Sequence, residues 1–341
     1  MFKTGKWAKE IISLQKPNGM WGYFHTLSEP TKTPITTEQA LRRLSILGYT
    51  IEDECIAKAV EYMNDCLSGK EQIPDRREKV HNWDIFTDLM LSTWIRRFTK
   101  GNVLANQVSD KWTSIISSAF AGGVYDRDAC ELAYQKTFGI KPQGGRLVDF
   151  VNFYQVSLIA DCLDAHTEAA VFDYILNHEN GIYYVYDNPL STLPETFMSK
   201  QASRYLSAME LMTGYRRNRH KLQFVVNWLN RNKNENGMWD MGAAAKDHVH
   251  FPLSDDWKRR SVRENDCTYR VRKFIDMATV RVVSESRQEA ILRIEETGNR
   301  DEQDRLKAWR EFSQAIRTSN ETLEGEPERI LFRSPEETEM L

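Results

Sequence analysis

An all-α fold of about five helix-pair repeats, followed by a C-terminal helical hairpin, is what the sequence predicts. Three observations predict it. A Gly-x-aromatic loop recurs along the chain, helical apolar periodicity fills the stretches between its copies, and no alternating β-branched run of any length competes.

The loop comes first. LQKPNGMWGYF (14–24) and NKNENGMWDMG (232–242) share Asn-Gly-Met-Trp outright. FAGGVYD (120–126) and NHENGIYYV (177–185) are weaker relatives. Tyr125, Tyr183 and Trp239 follow one another at intervals of 58 and 56 residues, and Trp21 precedes Tyr125 by 104, close to two periods. The missing copy falls near CLSGKEQIPD, which keeps a glycine but no aromatic. The expectation is that each loop glycine ends a helix in a left-handed turn, and that each Trp or Tyr plugs the gap between repeats with its N–H or O–H partnered.

Helices fill the intervals. TTEQALRRLSILGY opens on Thr37 as N-cap and closes on Gly48. IEDECIAKAVEYMNDCL places Ile56, Val60 and Met63 on one face. HNWDIFTDLMLSTWIRRF with SDKWTSIISSAF repeats the pair. So do RLVDFVNFYQVSLIADCL with TEAAVFDYILNH, and SKQASRYLSAMELMTGY with KLQFVVNWLNRN. First helices are apolar around much of their circumference and second helices are one-sided. That asymmetry suits a solenoid or a closed double ring, with first helices inside. From about Asp276 the style changes to two charged helices. Leu306, Trp309, Phe312 and Ile316 form one stripe there, suited to docking on the ring or on a protein partner, and an acidic Pro/Gly-broken tail follows.

Bulk composition narrows the function. The 341 residues carry 41% hydrophobic and 28% charged side chains, with a net charge of −3. That balance argues against nucleic acid or an anionic membrane as main partner. Five cysteines without a CxxC pair read as reduced thiols of a cytoplasmic protein, and neither a signal peptide nor a membrane span is expected.

Gln15-Lys-Pro-Asn-Gly19-Met-Trp21 resembles the QW motif, Q-x(2–5)-G-x-W, of squalene–hopene and oxidosqualene cyclases. The copy ending Gly237-Met-Trp239 has Asn232 and Asn234 where glutamine would stand. The resemblance implies an α/α toroid over residues 1–275, an architecture shared with protein prenyltransferase β subunits, with 276–341 outside it. It also implies a terpenoid cyclase-like or prenyltransferase-like protein that binds a small apolar or isoprenoid-like ligand centrally. Two family signatures are missing. Asp255-Asp256 lacks the first aspartate of D-x-D-D, and Asp266-Cys267 slips the D-x-C zinc pattern by one, with no histidine after it. A non-catalytic binding or scaffold toroid and a carbohydrate-active toroid are the alternatives.

Candidate site residues follow from chemistry and placement. His248, His250 and Cys267 are metal-ligand types, with His-x-His in a loop; an exposed polar loop is the other reading. Asp255 and Asp256 begin a helix or form a proton-sharing pair at a cavity mouth. Asp84 and Asp88 at i and i+4, with Asp149 and Asn152, and with Asn265, Asp266 and Arg270, face a common centre if first helices line one; otherwise they are first-turn acids. Asp255, Asp256, Asp266 and Cys267 are expected in one pocket with Asp84 or Asp88, at least one carboxylate being buried with a raised pKa. Trp83, Phe86, Phe153, Tyr154 and Tyr269, with Arg270, are core or the lining of a substrate cavity. The basic turn GYRRNRHK (214–221) is solvated surface or a phosphate contact. No cofactor follows from the sequence.

Overall fold

The computed structural model describes residues 2–25 and 35–279. The contacts divide the chain into Met1–Arg281 and Val282–Leu341. The hairpin stripe and acidic tail expected beyond Asp276 lie, after Thr279, outside the described residues.

The described residues form eleven α-helices: α1 (Lys6–Ser13), α2 (Thr37–Ile46), α3 (Glu54–Leu67), α4 (Trp83–Phe98), α5 (Val103–Ala119), α6 (Arg127–Phe138), α7 (Phe153–Ile159), α8 (Ala165–Asn177), α9 (Lys200–Met212), α10 (Gln223–Arg231) and α11 (Arg260–Thr279). Extended pairing among them is limited to isolated bridges at Asn152–Tyr183 and Ile182–Tyr186. The fold is all-α. No described helix is long and apolar enough to cross a membrane.

Burial sorts the helices into two kinds. On α4 every residue from Leu89 to Arg96 is buried, so all its faces are covered; on α9 the same holds from Tyr205 to Met209. On α3 and α10 buried residues keep to one side. A helix covered on every face needs neighbours all round it. α4 has them in α3, α5 and α7.

The two Asn-Gly-Met-Trp loops are near copies in space. Trp21 donates its indole N–H to the Ile11 carbonyl at 2.6 Å, and Trp239 donates to Leu229 at 2.7 Å, each reaching ten residues back to the helix it follows. The Trp21 and Trp239 amides donate to the hydroxyls of Thr37 and Thr268, both at 3.0 Å. Both rings are essentially buried. The indole is thus a plug tied to one helix by its side chain and to another by its backbone.

Four expectations change. The loop glycines do not end helices: α1 stops at Ser13, and Gly19 (φ +93°) closes a separate turn whose Cβ would meet the Lys58 carbonyl oxygen at 2.4 Å. Only Gly fits that approach. Thr36 caps α2, in a reciprocal box with Gln39, so Thr37 is left for Trp21. α7 starts late, because Asn152 caps it and residues 146–151 are not helical; Asp149 therefore leaves the inner set and pairs with His178. Tyr183 leaves its ring partly exposed and contributes its backbone instead, bonded to Val151 and Phe153.

The first and last parts of this unit touch. Trp7 donates its indole N–H to the Ser254 carbonyl at 3.1 Å, Asp255 caps the Lys6 amide of α1 at 3.0 Å, and Phe2 meets Tyr269 edge-on at 5.1 Å.

Candidate functional site

The N-terminus of α2 organises the clearest site. Its capping box fixes the first turn, and the Thr37 and Glu38 amides donate to the Tyr23 and Phe24 carbonyls. That pairing draws the preceding loop across the helix end and sets His25 above Glu38. Asp75 accepts the Phe24 and His25 amides and holds the loop there.

Three side chains from three segments then meet. His25 Nδ1 lies 2.9 Å from Glu38 Oε2. The Tyr154 hydroxyl donates to the same oxygen at 2.9 Å and lies 2.9 Å from His25 Nδ1. Arg42, one turn along α2, donates to Glu38 Oε1 at 3.1 Å. Asn152 places Tyr154 by capping α7, accepting its amide at 3.1 Å. Phe86 and Tyr184 pack edge-on against both His25 and Tyr154, at 5.5–5.8 Å between rings. The cluster borders a cavity of about 740 Å³, whose other walls include Trp7, Arg43, Asp247 and His248.

Charge assignments follow from these contacts. Burial opposes a charged His25, but the hydrogen bond and charge of Glu38, helped by Glu78 and Asp75, raise its pKa above the ordinary value. Burial opposes a charged Glu38 as well, and the bonds from His25 and Tyr154 with the charge of Arg42 outweigh it, so its pKa falls. Its place in the first turn of α2 favours the anion further. Burial and then Glu38 push the Tyr154 phenol well above its usual range, so it stays a donor. The raised imidazole and lowered carboxyl favour an ion pair of His25 with Glu38, with a neutral phenol sharing the oxygen. Such a group can deliver or take a proton at the cavity wall.

The sequence-predicted residues fall elsewhere, apart from Phe86 and Tyr154 in the cluster and His248 on the cavity wall. Asp84 and Asp88 do not join the late acids: Asp84 is an exposed first-turn residue paired with Arg77 at 2.6 Å, and Asp88 is exposed beside it. Asp255, Asp256 and Asp266 do share an open groove, with Tyr269. Asp255 caps α1 there, and Asp256 is exposed beside Arg259. Asp266 is buried with a raised pKa, from burial, as expected. Yet it accepts the Leu253 and Ser254 amides at 2.9 Å and the Ser254 hydroxyl, a loop-holding role.

The His-x-His pair splits. His248 is exposed at φ +62°, edge-on to Trp7, while His250 is buried against Asp247 at 2.8 Å. Cys267 lies apart, its sulfur accepting the Met241 amide at 3.4 Å. Among the described residues no group of three or more metal-ligating side chains comes together. Burial pushes the Cys267 thiol up to about 12, so it is a poor ligand or nucleophile. Arg270 is buried in a bidentate pair with Glu210 and bonds to Ser203 and Ser207. Trp83 packs near His81 and Phe86. Phe153 carries the Arg42 guanidinium 4.4 Å from its ring centre.

Sequence reasoning missed His25, Glu38 and Arg42. The available signals were a histidine four residues after Trp21 and an acid–base pair at i, i+4 just inside a capping box.

No family model matches the chain, and neither does any curated protein or solved structure.

Proposed function

We propose that the 1–281 unit is a closed α/α ring of the toroid type that the Trp loops resemble, and that the cavity beside α2 and α7 binds a small polyhydroxylated ligand of the carbohydrate class. His25, held by Glu38, transfers a proton to or from an oxygen of that ligand. Tyr154 fixes the carboxylate, and Arg42 balances its charge. The contacts of Trp7, Lys6 and Phe2 with the 254–269 region support ring closure.

The observation that carries the reading is the shared Glu38 oxygen, at 2.9 Å from both His25 and Tyr154 beside a cavity walled by Trp7 and Tyr184. Aromatic faces with several hydrogen-bonding groups suit a ligand that is apolar on its ring faces and polar on its edges. An isoprenoid chain would offer no hydrogen bonds to a wall that carries His25, Glu38, Arg43, Asp247 and His248.

The test is a thermal-shift and calorimetric panel of neutral mono- and oligosaccharides against farnesol, run on the parent and on Glu38→Gln. Saccharides should stabilise the parent. Any turnover found should drop about 10²–10⁴-fold in Glu38→Gln with the fold retained. Stabilisation by farnesol alone would restore the isoprenoid reading. Binding by neither would leave a scaffold.

A further inference from the structure

A second cavity, of about 340 Å³, opens where the C-terminal parts of α2, α4, α7 and α9 converge. Six cationic side chains line it, Arg42, Arg96, Arg97, Lys100, Arg216 and Arg219, against two carboxylates among the described residues, Asp161 and Glu210; of the six, Arg42 is paired outside the basin, with Glu38. The chain as a whole carries a net charge of −3, so this concentration is local. It also gathers Arg216 and Arg219 of the basic 214–221 turn onto the arginines of α4.

Both carboxylates are already engaged. Asp161 takes Arg96 and Lys100, each at 2.9 Å. Glu210 takes Arg270 at 2.8 Å. Arg97 and Arg216 make no ion pair among the described residues. Arg97 lies against the rings of Trp94 and Phe153, at 5.5 and 5.3 Å, and its hydroxyl contact with Ser157 is a long 3.4 Å. It is exposed at the rim of the basin, with the like charge of Arg42 beside it. An added negative charge in the basin would relieve that repulsion.

Helix C-termini attract cations on their own account, and Arg219 serves one, donating to the Thr213 carbonyl beyond α9. That role does not extend to Arg97, whose side-chain donors reach no helix-end carbonyl among the described residues. A planar guanidinium stacked on aromatic faces keeps its edge donors for an incoming oxyanion.

We infer that this basin binds a compact phosphate-class oxyanion, with Arg97 and Arg216 supplying the charge that the carboxylates of the basin do not meet. The volume suits a diphosphate or a small phosphorylated metabolite. The inference does not depend on the carbohydrate reading of the other cavity.

Isothermal titration of the full chain with inorganic phosphate, pyrophosphate and glucose 6-phosphate tests it, with chloride at matched ionic strength as blank. The variants are Arg97→Gln and Arg216→Gln, with Lys58→Gln, an exposed cation of α3, as control. The expected result is saturable binding that weakens with salt and falls about tenfold in each arginine variant, the control being unchanged. Tighter binding of glucose 6-phosphate than of the inorganic ions, kept with excess glucose filling the other cavity and lost in the arginine variants, would identify an organic phosphate as the source; the reverse order would identify the free ion. If Arg97→Gln fails to fold by circular dichroism, Arg216→Gln, altered only on an exposed turn, decides alone. Absence of saturable binding, or arginine variants that bind as the parent does, would overturn the inference.

Discussion

The loop from Asp247 to Trp257 and the His25–Glu38–Tyr154 cluster contain the same chemistry and spend it differently. In the loop, Asp247 accepts the Val249, His250 and Phe251 amides and the His250 ring. Arg43 closes on the Val249 and Pro252 carbonyls, and Trp257 stacks on Phe251 at 4.9 Å. Asp247 thus satisfies the loop's own backbone, while Asp255 caps α1. In the cluster, Glu38 is bonded by side chains from two other segments, on a cavity that the loop reaches only through Asp247, His248 and Val249. Polar residues dense in sequence need local partners to be buried at all. Polar residues that converge from distant segments beside a cavity are better candidates for work.

The largest predicted effect tests the loop half of this contrast. Asp247→Ala should cost about 3–5 kcal/mol, because several buried donors lose their acceptor together. Glu38→Gln should cost only about 1–2 kcal/mol, since the amide oxygen still accepts from Tyr154 and His25 sheds its proton once the carboxylate charge is gone. Urea unfolding of both variants measures this. Equal losses would erase the distinction between scaffold and site.

Next in size is the pH response. His25 has a raised pKa, so its contribution to stability is complete below about pH 6.5 and fades as pH rises through the folded value. Burial, with the charge of Arg270, lowers the pKa of His250 despite Asp247, so its term is complete above about pH 6.5 and fades on acidification. The Glu38 term is present above about pH 4.5 and fades as pH falls through its lowered value. Unfolding midpoints of His25→Gln and His250→Gln across pH 4–8 should therefore diverge from the parent at opposite ends. Parallel profiles would break the comparison.

The smallest effect concerns Asp255. As a cap on Lys6 it is worth about 1 kcal/mol of stability, and Asp255→Ala should leave ligand binding intact. A loss of turnover without a loss of stability would return the loop to the candidate active site.

Much of the fold was legible in the sequence, and little of the site. Helix pairs showed through 3.6-residue periodicity. The two Trp loops showed because the indole reaches back to its own preceding helix, a local relation repeated verbatim. α6 was missed because only Cys130 and Tyr134 of its twelve residues are buried, too few for an apolar stripe. The cluster was missed for another reason. Tyr154 lies 116 residues from Glu38 and 129 from His25, so their meeting depends on how α2 and α7 pack, which no local pattern encodes. The density of acids and histidines at 247–257 drew attention instead, and that density is what lets the loop satisfy itself.

Histidine ring resonances, followed during titration with whichever saccharide gives the largest thermal shift, decide whether His25 faces the ligand. His25 and His250 report on the two regions in one sample. The His25 ring signals should move and its pKa change as the cavity fills, by more than those of His250, whose partner Asp247 borders the same cavity. Movement of His250 with His25 unaffected would contradict that placement of His25.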